Sequence, residues 1–187
     1  MAKPSQVIVL VEDIRHQQFV QKYLRRCRLE QHTIRFVPYP AAAGSGEQWV
    51  RERFAVEVEG CRRRRARAET ALIVVIDADN LLVQERLAQL DRKLDEAQAD
   101  RVRPDAEQIA RLVPKRNIET WILCLNDVSV DEETDYKRTR NEWTTLISSG
   151  IETLYDWTRP NAQLPASSVS SLQLGVAELK RLDFRGL

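Results

Sequence analysis

Two kinds of hydrophobic pattern run along this chain. Val7-Ile8-Val9-Leu10-Val11 and Ala71-Leu72-Ile73-Val74-Val75-Ile76 are uninterrupted apolar runs rich in β-branched residues. Such runs mark strands buried on both faces, interior to a parallel sheet. Elsewhere the apolar residues recur at helical spacing. Ile14, Phe19, Val20, Tyr23 and Leu24 are separated by Arg and Gln, which predicts a surface helix covering a sheet. Residues 33–39, bounded by Pro38 and Pro40, read as a weaker strand, and 41–46 as a loop. Ser45 with Gln48 three residues on predicts a helix from there to about Gly60. Leu82, Leu87, Leu90 and Leu94 mark the inner side of a helix over 81–99. Pro104-Asp105, with Gln108 at the capping-box position, predicts a short helix, and 111–114 a short strand. Asn117 should cap a helix carrying Ile118, Trp121, Ile122 and Leu125.

Strands alternating with helices define an α/β protein with a mostly parallel sheet flanked by helices. After Leu125 the character changes. Asp127, Asp131, Glu132, Glu133 and Asp135 form an acidic loop, followed by helical stretches over 141–157 and 167–182 with a turn at 160–165. The organisation expected is an α/β core over residues 1–126 and a helical C-terminal extension over 127–187 packed on it.

Composition narrows the function classes. The chain has 187 residues, about one domain, and 29 basic residues stand against 28 acidic ones, so neither a basic nucleic-acid-wrapping tail nor an acidic disordered segment describes it. The longest apolar runs are too short to span a bilayer. The first residues lack a signal-peptide layout, so a cytoplasmic protein without membrane partners is expected. Cys27, Cys61 and Cys124 are odd in number and far apart, which gives no disulfide framework or thiolate metal spacing. His16 and His32 are too few and too separated for a histidine-based metal site.

Both strong strands end in acids: Glu12-Asp13 after the first, Asp77 and Asp79 after the second. Ligands of open parallel sheets sit outside the carboxyl ends of the strands. Asp77 and Asp79 are two apart, so strand alternation can send both side chains to one side. If the strands are neighbours, Glu12 faces the Asp pair. Converging carboxylates need neutralising, and hard oxygen ligands without His or Cys imply Mg²⁺ or Mn²⁺. Mg²⁺ commonly shares its ligands with substrate phosphates, which points to phosphodiester chemistry.

The pattern Val-Ile-Val-Leu-Val-Glu12 followed by Ile-Val-Val-Ile-Asp77-Ala-Asp79 resembles the Toprim catalytic domain of topoisomerases, bacterial primases and OLD-type nucleases. The resemblance implies a compact α/β fold, Glu12 as metal ligand or acid/base, and Asp77 and Asp79 as metal ligands. Pro114-Lys-Arg-Asn-Ile-Glu-Thr-Trp121 looks like a stretch of small Toprim-related proteins encoded beside ATPases in bacterial anti-phage systems. By that resemblance Glu119 completes the metal site and Lys115 or Arg116 holds a phosphate. It also implies a Mg²⁺-dependent nuclease acting on a nucleic acid substrate, DNA or RNA, with an ATPase partner and a possible homo-oligomer. The resemblance covers roughly residues 6–126. It departs from the family after Glu12, where a glycine is common and Asp13-Ile14-Arg15 stands here.

Simpler roles exist for several of these residues. Asp13 serves as a helix N-cap, and Asp79 or Asn80 could cap the following helix. Glu119 suits the first turn of a helix on dipole grounds alone. Lys115 and Arg116 could be a solvated pair. Arg62-Arg63-Arg64-Arg65-Ala66-Arg67 could contact a phosphate backbone or form a solvated loop or partner face. The four tryptophans sit in helical patterns as core residues, and Gly44-Ser45-Gly46 lacks the ending of a P-loop. Two rival functions follow: a receiver-like module with Asp77 as phosphoacceptor, opened by Glu12-Asp13, and a non-catalytic scaffold.

Overall fold

Parallel pairing of the two apolar runs builds the centre of the molecule. The computed structural model describes residues 4–39, 45–139, 142–182 and 184. In it β1 (Gln6–Val11) and β3 (Thr70–Val75) pair in register from Gln6 against Thr70 to Val11 against Val75. β2 (Ile34–Phe36) lies outside β1 and β4 (Ile109–Leu112) outside β3, giving a four-stranded, all-parallel sheet in the order β2-β1-β3-β4. The helices are α1 (Ile14–Arg26), α2 (Gly46–Arg65), α3 (Val83–Glu96), α4 (Ile118–Cys124), α5 (Trp143–Trp157) and α6 (Ser170–Arg181). The expected α/β class and parallel sheet are both present.

Strand alternation sorts the core into two layers. Val7, Val9, Val11, Ala71, Ile73 and Val75 pack with buried residues of α1, α4, α5 and α6. Ile8, Leu10, Leu72, Val74 and Ile76 pack with α2 and α3 through Val50, Phe54, Val58, Leu90 and Leu94. Trp143, Ile147, Ile151 and Leu154 of α5 and Leu172, Val176 and Leu179 of α6 belong to the first layer. β4 is an edge strand, and α6 satisfies its free backbone groups. The Arg111 amide donates to Glu178 Oε2 (3.0 Å), and the Arg181 guanidinium donates to the carbonyls of Glu107 (2.7 Å) and Ile109 (2.5 Å).

Several boundaries differ from those expected, each for a local reason. α2 runs past Gly60 to Arg65, so Arg62–Arg65 are its last turn and not a loop. Arginine is a good helix former, and positive charge at a helix C-terminus is favourable. No helix forms at Pro104-Asp105. The amides of Ala106 and Glu107 both return to the Arg103 carbonyl, and the Gln108 carbonyl already accepts from Leu72. The sheet therefore claims Gln108 before it can cap anything. β4 spans Ile109–Leu112, earlier than 111–114, and the Pro114 carbonyl, beyond it, receives the Ala78 amide. β2 is short, although the Val37 amide still reaches the Val9 carbonyl. α3 starts at Val83, where the Leu82 amide donates to Glu85 Oε2, so neither Asp79 nor Asn80 caps it. Asp13, Ser45 and Asn117 cap α1, α2 and α4 through side-chain oxygens. The loop positions 41–44 and Asn141 lie outside the described residues. No helix among the described residues is long and apolar enough to cross a membrane.

Gly175 lets α6 approach α4. A Cβ there would fall 2.3 Å from the Trp121 ring, whose Nε1 donates to Ser171 on the same helix. Gly175→Ala is therefore expected to destabilise by about 1–3 kcal/mol through overpacking. In an open helix the same change stabilises by about 1 kcal/mol. Urea unfolding followed by tryptophan fluorescence reads the sign, and a more stable variant contradicts this packing.

Candidate metal centre

Glu12 and Asp77 leave the sheet from opposite faces and meet over its carboxyl edge. Glu12 continues the side of Ile8 and Leu10, where α2 begins. A Cβ on Gly46 would lie 2.2 Å from the Glu12 carbonyl oxygen and 2.7 Å from its Cγ, so only glycine permits that approach. Asp77 continues the side of Ile73 and Val75, facing α1. Because β1 and β3 are in register, the two acids finish side by side, and the Asp77 amide donates to Glu12 Oε2 at 3.2 Å.

Asp77 is wholly buried. Its Oδ1 lies 3.0 Å from His16 Nε2. Its Oδ2 is also buried and accepts no hydrogen bond among the described residues, with Lys137 Nζ 3.5 Å away. His16, in the first turn of α1, is fully buried, and its Nδ1 lies 2.8 Å from Asp13 Oδ1. Asp13 in turn accepts the amides of Arg15 and His16, so the α1 cap and the His16 ring share one carboxylate. Glu12, His16 and Asp77 each offer a ligand atom, and these atoms lie within 4.8 Å of one another.

The electrostatics follow from burial. Desolvation, then the charge of Asp77, raises the Glu12 pKa to about 7, with His16 and the Asp77 amide opposing. Burial disfavours charge on His16, but Asp77 and Asp13 override it and hold the imidazole well above its ordinary value. Burial and the neighbouring Asp77 raise Asp79. Lys137 is raised too: desolvation pulls it down, and Asp77, Glu12, Asp79 and Glu119 together outweigh that.

The other expected site residues take different places. Asp79 is not carried by strand alternation: β3 has ended, and Asp79 adopts a left-handed backbone with φ 56°. Its carboxylate is half exposed, 3.8 Å from Arg86 Nη2, and outside the group of three. Glu119 is buried in the first turn of α4. One of its oxygens is paired with Arg15, which stacks on Trp143, and Oε2 is buried without a hydrogen bond. Arg116 donates to Asn80 and lowers the neighbouring Asp79, which places it at the rim. Lys115 pairs with Glu133 at 3.3 Å.

Two residues at the centre went unread in the sequence. His16 has no histidine near it in sequence, but its place beside Asp77 and Glu12 puts a histidine in the group, against the expectation of carboxylates alone. Lys137 carries no local signal. The acids of its loop are engaged in holding the loop down. Asp131 caps the amides of Glu133 and Thr134, Asp135 accepts from Asn117, and Glu132 accepts from Ser171. What the loop turns towards Asp77 is the ammonium of Lys137. Comparison with family models, curated proteins and solved structures finds no match to this chain.

The donor set fits a divalent cation. Among the described residues a buried carboxylate oxygen of Asp77 accepts no hydrogen bond, and Glu12 has a raised pKa; both are groups that a cation would satisfy. A stability prediction follows for the metal-free protein. Glu12 titrates near 7 when folded and near 4.5 when unfolded. The folded state therefore holds the extra proton between those values, and the associated stability is present below pH ~4.5 and lost as pH rises through ~7. His16, also raised, acts in the same direction from pH ~6.5 upward. Melting in a chelator should thus fall between pH 5 and pH 8, and Glu12→Gln should flatten the fall. An unchanged slope in the variant contradicts this electrostatic account.

Proposed function

We propose that the chain is a metal-dependent phosphodiester hydrolase of the Toprim nuclease type, acting on DNA or RNA. The observation that carries this reading is the buried Asp77 carboxylate, whose Oδ2 accepts no hydrogen bond among the described residues and lies 3.5 Å from the Lys137 ammonium, set beside Glu12 over the carboxyl edge of the two central strands. Glu12 and Asp77 would hold a Mg²⁺ or Mn²⁺ ion, with Asp79 half exposed at the rim. The bound ion supplies neutralisation of charge on the scissile phosphate.

The chain's own groups do the rest. Glu12 is also the carboxylate placed to accept a proton from the attacking water, as the alternative to its role as ligand. Lys137 sets its ammonium beside Asp77 Oδ2, where it would offset negative charge gathered at the site. Arg116, at the mouth beside Asn80, is positioned to hold a backbone phosphate. Glu119 orients Arg15 across the face of Trp143 and adds negative charge behind the site. The resemblance to proteins encoded beside ATPases extends the proposal to an effector subunit of an anti-phage system with an ATPase partner.

A receiver-like phosphoacceptor role suits Asp77 less well. The acidic pair stands 64 residues before Asp77, counted from Asp13, which is long for the compact receiver fold, and Asp79 has no role in that chemistry. The scaffold reading is an outcome of the test. Wild type should cleave plasmid DNA or structured RNA when Mn²⁺ or Mg²⁺ is added. Asp77→Asn should lower the rate by about a thousandfold, and Lys137→Met by roughly ten- to a hundredfold, with far-UV circular dichroism unchanged. Cleavage by Asp77→Asn at the wild-type rate refutes the site, and a wild type inert on every substrate with every ion leaves the scaffold.

A further inference from the structure

A histidine at the centre changes which ion belongs there. Among the described residues His16 is the one nitrogen donor in the group of three, and it is wholly buried. Both ring nitrogens face carboxylates, but the two contacts differ in kind. Asp13 is fixed: as the α1 N-cap its Oδ1 already takes the amides of Arg15 and His16, at 2.8 and 3.0 Å. It cannot turn away from Nδ1 without giving up the cap. With Nδ1–H held on a fixed carboxylate, Nε2 is the nitrogen that can bond an ion once its own proton is released to solvent, which is the arrangement of metal-bound histidines.

Nε2 points at Asp77 Oδ1, 3.0 Å away. Two donors adjacent on one octahedral ion, each bonded at about 2.1 Å, are about 3 Å apart. The existing spacing matches that distance, and the ion would enter off the Nε2–Oδ1 line as the hydrogen bond between them gives way. Glu12, in the turn between β1 and α1, brings its carboxylate to the same place.

We infer that His16 is an inner ligand of the ion, that Asp13 is the positioning residue that orients its ring, and that the centre selects a first-row transition ion over Mg²⁺. This rests on the reading of Glu12 and Asp77 as metal ligands. Imidazole contributes little to Mg²⁺, which prefers oxygen and keeps its waters, and it binds borderline ions well. An all-carboxylate centre would leave Mg²⁺ and Mn²⁺ close to equivalent. The mixed set separates them.

The test uses the full chain loaded with Mn²⁺ alone. Pulsed electron paramagnetic resonance should show a directly bonded nitrogen, and growth on ¹⁵N-histidine should convert its pattern to that of ¹⁵N. The chain holds two histidines, and His32 is exposed at the start of β2, so the signal reports His16. His16→Gln should weaken Mn²⁺ binding by about ten- to a hundredfold in calorimetry and change Mg²⁺ binding by less than about threefold. Asp13→Asn keeps a competent cap. It should weaken Mn²⁺ by about tenfold without loss of helix. The labelled wild type settles the matter even where His16→Gln does not fold. Mn²⁺ bound without nitrogen coupling overturns the inference and leaves the proposed hydrolase standing. Coupling without any nucleic-acid cleavage supports the inference and removes the nuclease. No Mn²⁺ binding overturns both.

Discussion

The in-register parallel pairing of β1 with β3 is the constraint on which the remaining structure depends. Val11 sits opposite Val75, so the strands end at the same level and their next residues enter the same space. A slip by one residue would turn Asp77 towards α2 and α3 and bury Ile76 against α1, because strand side chains alternate. The register is held by two apolar layers that fill both faces. The carboxylates are thus forced together by hydrophobic packing that has nothing to do with their charge.

That forcing leaves buried negative charge, and the fold answers it with cations from distant parts of the chain. His16 comes from α1, Lys137 from the loop after α4, Arg15 faces Glu119, and Arg86 donates through Nε to the Asp77 carbonyl. Such pairs do not make the fold stable in proportion to their number, since desolvation offsets much of the attraction. They do specify an arrangement in which one carboxylate oxygen, Asp77 Oδ2, accepts no hydrogen bond among the described residues and has the Lys137 ammonium 3.5 Å away. The acidic loop belongs to the same logic. Its carboxylates cap, clamp and tether, and the residue it delivers is basic.

Much of this was legible in the sequence because it depends on local pattern. Continuous β-branched runs gave away β1 and β3, and the caps at Asp13, Ser45 and Asn117 sit where short polar side chains precede helical periodicity. Glu12 and Asp77 could be singled out because acids directly after buried strands have few structural uses. What could not be read depends on tertiary placement. Gln108 had capping-box spacing, but the sheet took it. Asp79 had strand spacing, but the strand had stopped and the backbone had turned left-handed. Lys137 is 60 residues after Asp77, and no periodicity links them. His16 stands three residues after its own cap, Asp13, a spacing visible in the sequence, but its approach to Asp77 comes from the packing of α1 on the sheet.

The central claim is that Glu12 and Asp77 form one cation-binding locus. Crystals soaked in Mn²⁺ and measured at the manganese absorption edge test it directly. The account predicts a single anomalous peak within bonding distance of a Glu12 carboxylate oxygen and Asp77. Absence of such a peak at high Mn²⁺ occupancy elsewhere, with His16 and Lys137 still closed on Asp77, would contradict it and leave the acids as a self-neutralised structural cluster.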